Sequence, residues 1–174
     1  MRTGNFIPAK KELPTMAKLV IGKEAPKSFP VAVSVPTPSG DAQILFEMKH
    51  LTSTEWATLR EKHTETIGAA VQVLFDAQRK KAEDAYAATK PKKATDDEKE
   101  AAINALLKPV KESELARLRS ESSAEMLLKI AISWDLAAPM NKANLQDMCD
   151  RYPGSAEAVF TAYNETRAGL AQKN

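Results

Sequence analysis

Along this chain the spacing of apolar side chains changes near Leu51. Before it they recur at every second residue. Val31, Val33 and Val35 alternate with Ala32 and Ser34, and Ile44, Phe46 and Met48 alternate with Leu45, Glu47 and Lys49. Period two puts one set of side chains on one face of a strand and the other set on the opposite face. Between the two runs, Pro36-Thr37-Pro38-Ser39-Gly40-Asp41 collects turn formers, so the pair predicts a β-hairpin. A hairpin alone is marginal in water, so one face must pack on the rest of the fold. Pro30 and Pro36 withhold N–H donors and predict that the first strand lies at a sheet edge.

After Leu51 the spacing becomes helical. Thr52 and Glu55 have the separation of a capping box, and Leu51 can staple onto Trp56. Trp56, Leu59, His63, Ile67, Val71 and Leu74 then follow one face, with Gly68 a candidate break between two helices. Residues 79–89, rich in Ala, Lys and Glu, predict an exposed helical extension, Lys90-Pro91-Lys92-Lys93 a turn, and the segment from Lys90 to Asp97 a mobile loop open to trypsin. Thr95 and Glu98 form a second capping box ahead of Ile103, Leu106 and Leu107, and Pro109 interrupts that helix. A longer helix is expected from Glu112 to Ser133, burying Leu115, Leu118, Met126, Leu127, Ile130 and Ala131, with Trp134 continuing the stripe as a core anchor. Asn141 caps a helix carrying Leu145, Met148, Cys149 and Tyr152; Pro153-Gly154 stops it; Ser155 caps a last helix carrying Val159, Tyr163, Thr166 and Leu170. The expected fold class is α+β: an N-terminal β-hairpin followed by a mostly helical domain of about five or six helices. Residues 1–28, with three prolines and no periodicity, read as a flexible lead-in within which Met16 is an alternative start. Residues 29–174 read as one domain with a charged, inserted segment at 78–111.

Composition narrows the function classes. With 43% apolar and 28% charged residues in 174, the chain has the usage of an ordinary globular domain. A net charge of +2 gives no footprint for nucleic acid or anionic membrane. The basic clusters at Arg79–Lys81 and Lys90–Lys93 are flanked by Glu83, Asp84, Asp96, Asp97 and Glu98, and no aromatics interleave them. No run reaches the roughly 18 apolar residues of a membrane span, and the first residues lack a signal-peptide core, so a reducing cytoplasm is the default. Catalytic chemistry is thin. His50 and His63 are too far apart for a local metal pair, and a single cysteine does not complete a zinc set. Cys149 lies on an apolar stripe and reads as a structural thiol; there is no Gly-rich phosphate loop. No catalytic, cofactor or metal residue is assigned, and no enzyme is expected.

The C-terminal third carries an ordered set of short motifs: Trp134-Asp135, Asn144-Leu145, Tyr152-Pro153-Gly154, Tyr163 and the final Lys173-Asn174. With the run from Phe46 to Thr52 and the capped helix bearing Trp56, this resembles the tail assembly chaperones of siphophages, over about residues 29–77 and 112–174. Trp56, Trp134, Asp135, Tyr152 and Pro153 carry the likeness as structural motif residues. The resemblance implies a non-enzymatic protein of the host cytoplasm, absent from the mature virion. Such a protein keeps the tape measure protein soluble, promotes polymerisation of the tail tube protein around it, and then leaves. In some phages a frameshift appends a second domain to a minority of copies. The implied partners are therefore the tape measure and tail tube proteins; weak self-association stays open. The alternatives are a helical adaptor or small regulator without a tail role and, more distantly, a DNA-binding regulator using the helix pair at 144–163. Glu157 and Glu165 against Arg167 make that pair a poor complement to phosphate.

For partner binding the candidates are Phe160, Tyr163, Arg167 and Leu170 on the last helix. Phe160 and Tyr163 are one turn apart, Val159 can anchor the helix to the core, and aromatic and arginine side chains dominate interface energetics. The hairpin edge at Val31–Val35 is the second candidate.

Overall fold

The structure is a computed structural model and describes residues 26–89 and 94–169. Residues 1–25 of the lead-in, residues 90–93 of the Lys90–Asp97 segment, Leu170 and the terminal Lys173-Asn174 lie outside the described residues; Ser28 already opens a strand, and Asp96 and Asp97 form the first turn of a helix capped by Thr95 rather than a loop.

Strands β1 (Ser28–Thr37) and β2 (Gly40–Lys49) form the expected hairpin, paired from Ser28↔Lys49 to Thr37↔Gly40. The strands run through Pro36, so the turn is tighter than the proline-rich sequence suggests. Gly40, at φ 113°, takes a backbone conformation that L side chains avoid. Val31, Val33, Val35, Ile44, Phe46 and Met48 are all buried on one face, while Ala32, Ser34 and Leu45 face outward.

A third strand corrects the sequence reading. Helix α3 ends at Ile130, and Ala131–Trp134 form β3, antiparallel to β2, giving the sheet order β1-β2-β3. The pairing slips between Glu47↔Ser133 and Met48↔Ala131, which leaves Ile132 unmatched in a bulge. The helical stripe is locally valid up to Ile130. Beyond it the open edge of β2 and the ring of Phe46, 6.0 Å from that of Trp134, offer the backbone a better partner than another turn. As expected, β1 is an edge strand.

Five helices are described. Helix α1 (Ser53–Ala88) runs unbroken through Gly68, so no break occurs there. Gly68 is solvent-exposed between good helix formers, and its cost of roughly 1 kcal/mol is too small to end a helix of this length. Helices α2 (Asp96–Leu106), α3 (Glu112–Ile130), α4 (Lys142–Arg151) and α5 (Ser155–Arg167) follow. Both capping boxes form: Thr52 with Glu55, and Thr95 with Glu98. Asn141 caps α4 by accepting from the Asn144 N–H at 2.9 Å. Ser155 does not cap α5. Gly154 takes the cap position at φ 88°, and Ser155 is buried with its hydroxyl donating to the Met148 carbonyl.

The core is built from the inner face of the sheet, the first turns of α1, the second half of α3, and α4 and α5. No described side chain between Leu59 and Ala124 belongs to it. The distal part of α1 instead packs on α2, burying Ala82 and Ile103, with Arg79 bridging to Glu83 and Glu100.

Candidate partner-docking site

The motif residues turn out to hold the fold together. Leu45 on β2 exchanges two hydrogen bonds with Asp135: the Asp135 N–H donates to the Leu45 carbonyl at 3.1 Å, and Asp135 Oδ1 accepts from the Leu45 N–H at 3.0 Å. Trp134 is half-buried and not fully enclosed; its Nε1–H donates to the Ala138 carbonyl at 2.6 Å. Asn144 ties the same loop to α4 by donating to the Pro139 carbonyl, and Leu145 is fully buried. Tyr152 ends α4, exposed Pro153 follows, and Gly154 opens α5. Trp56 lies in the core, its ring 5.0 Å from that of Tyr163. Trp56, Trp134, Asp135, Asn144 and Leu145 thus tie α1, β2, β3 and α4 to one another and to the core.

The four candidate contact residues divide. Tyr163 is fully enclosed: its exposure is 0%, its hydroxyl donates to the Lys49 carbonyl at 3.1 Å, and Phe29 stacks on it at 5.6 Å. A side chain held in this way anchors α5 to the hairpin and presents no surface. Phe160 is half-buried and opens onto a cleft, and Arg167 lies at the C-terminal end of the same helix. Along the second candidate, the hairpin edge at Val31–Val35, the three valines are buried in the core and α5 packs against the strand, while Ala32 and Ser34 are exposed.

The cleft beside Phe160 has a volume of about 600 Å³ and lies between α1, α3 and α5. Trp56, Met126, Ala156 and Phe160 supply its apolar lining, and Ser120, Ser123 and Gly154 add small walls. Arg60, His63, Arg119 and Glu157 supply the charged and titratable groups. Sequence reading missed Arg60 and Arg119; Met126, expected in the core, is buried there, at the floor of the cleft. Arg60 is one turn beyond Trp56, a signal that was present, but α3 joins them only in the folded chain. Burial holds the His63 imidazole below its usual range, with nearby Lys129 pushing the same way. Burial also pushes the Cys149 thiol up to about 11, which disarms it as a nucleophile at neutral pH. Among the described residues no three His, Cys, Asp or Glu side chains are grouped to hold a metal, and no helix is long and apolar enough to cross a membrane.

A small α+β protein with a partly apolar cleft between its helices can hold a side chain or helix of a partner. The sequence family of phage tail assembly chaperones matches the chain over residues 16–174. The chain belongs to that family. No curated protein and no solved structure matches it.

Proposed function

We propose that this chaperone binds the tape measure protein, keeps it soluble in the host cytoplasm, promotes tail tube assembly around it, and then dissociates without entering the virion. No catalytic step is involved. The observation that carries the reading, given the family, is the cleft lined by Trp56, Met126 and Phe160. A tape measure is a long helical chain with apolar stripes that must stay covered until tube protein surrounds it. A groove between helices accepts one turn of such a stripe, with half-buried Phe160 as its accessible aromatic wall. Covering a few side chains at a time gives the moderate affinity that release requires.

The test is co-expression with the tape measure protein. Phe160→Ser, in a variant whose melting curve shows it folded, is expected to shift the tape measure into the insoluble fraction. A folded variant that keeps it as soluble as wild type does would remove the cleft as the docking site.

A further inference from the structure

We propose that the cleft takes an acidic amphipathic helix, with carboxylates at positions i and i+7 and apolar side chains between them. This rests on the reading of the cleft as the partner site and adds the chemistry of the segment bound there.

Basic side chains surround the apolar floor of the cleft. Arg60 lines the cleft from α1. Arg167 extends from α5 one turn past the cleft residue Asn164, and its guanidinium lies 3.3 Å from Ser53 Oγ at the start of α1. Neither arginine makes an ion pair among the described residues, whereas Arg79 and Arg151 each do. Arg119, also on the cleft, meets only Glu112 across 3.4 Å at an exposed surface. Glu55, in the same turn as Ser53, is turned back to Thr52 in its capping box.

The spacing follows from α1. From Ser53, where Arg167 is held, to Arg60 is two helical turns, roughly 10 Å along the axis. A partner helix lying along α1 presents side chains i and i+7 at that same separation, and i+3 and i+4 then face the lining between. Guanidinium N–H groups donate charge-assisted hydrogen bonds to carboxylates, so the two arginines favour acidic residues. Glu157, the one carboxylate among the residues lining the cleft, sits in the first turn of α5, at the far end of that helix from Arg167.

The experiment uses the full chain and two labelled, helix-stapled peptides with the same leucine face, one with Glu at i and i+7 and one with Lys. Fluorescence anisotropy is expected to show the Glu peptide binding at least tenfold more tightly, with affinity falling as salt rises. Arg60→Glu, at an exposed position, should lower Glu-peptide affinity at least tenfold and improve binding of the Lys peptide. Arg167→Glu should act in the same direction. Arg117→Glu, an unpaired arginine lining a different groove, should change nothing. Equal affinity for the two peptides, or a folded Arg60→Glu chain that still binds the Glu peptide as wild type does, overturns the inference. If neither peptide binds while Phe160→Ser still abolishes tape measure solubility, the charge pattern is wrong and the docking reading survives. If Phe160→Ser alters neither peptide binding nor solubility, both fall.

Discussion

At Leu45 the central strand has lost a main-chain partner and regained it from a side chain. Asp135 donates its own N–H to the Leu45 carbonyl, as a strand residue would, but the matching acceptor for the Leu45 N–H is its carboxylate. An Asp after Trp134 therefore lets β3 stop one residue early without leaving a donor idle. Asp135→Ala is expected to destabilise the fold by about 1 kcal/mol, and Asp135→Asn by less, since an amide oxygen can still accept. Equal melting temperatures for the two variants would show that the carboxylate charge matters and the acceptor does not. Trp134→Ala should cost about 2 kcal/mol, below the roughly 3–5 of a fully enclosed aromatic, because the ring is only half-buried. Cys149 gives a separate check on burial. A thiol raised to about 11 stays protonated at pH 8, so iodoacetamide should modify it far more slowly than a free cysteine, with the rate still climbing beyond pH 9. Denaturant should restore the ordinary rate.

At the scale of elements, what could be read from the sequence was whatever local chemistry decides. The hairpin follows from six alternating apolar side chains, and both capping boxes follow from a hydroxyl and a carboxylate three residues apart. These features need no distant partner. The misread elements depend on one. Ala131–Trp134 continue a helical stripe in sequence and become a strand only because β2 offers an open edge far away in the chain. Ser155 has the side chain of a helix cap, but packing drew it inward to Met148 and left the cap to Gly154. Tyr163, one turn from Phe160, could have faced either side until its hydroxyl found the Lys49 carbonyl. Half of the cleft was invisible for the same reason: Arg119 and Met126 reach Phe160 only through tertiary packing. Where a local signal stands alone, its energy should be measurable. Asn141→Ala removes the acceptor for the Asn144 N–H and is expected to cost about 1 kcal/mol. In a chain of this size that lowers Tm by about 2–4 °C. An unchanged Tm would mean that the contacts of Lys142 with Glu121 and Glu125 hold this end of α4 without the cap.

For the molecule as a whole, the main question is whether the chain from the middle of α1 to the start of α3 is needed for the rest to fold. The core contains no described side chain between Leu59 and Ala124, and Ala82 and Ile103 are buried apart from it where α1 and α2 meet. We propose on this basis that residues 78–111 are an insertion that the rest of the domain can fold without. The geometry supplies the means to test it. Phe75, Asp76 and Arg79 on α1 line one concavity with Leu107, Lys108 and Pro109, so the two ends of the segment come back to each other. Joining residue 79 to residue 108 through a short Gly-Ser linker therefore requires little rearrangement of either flank, and loop closure of that length is inexpensive. The shortened chain is expected to keep its near-ultraviolet aromatic signal, which comes largely from Trp56, Trp134 and Tyr163 in the core, and to unfold in one cooperative transition. Its far-ultraviolet helical signal should fall by the contribution of α2 and the end of α1. Loss of the aromatic signal, or a broad transition, would show that the long helix and α2 are part of the domain. If the shortened chain folds and still keeps the tape measure protein soluble, the cleft of Trp56, Met126 and Phe160 is sufficient for docking. If it folds and fails, a second contact lies on the removed segment or on α1 beside it, where Val73 and Phe75 are exposed.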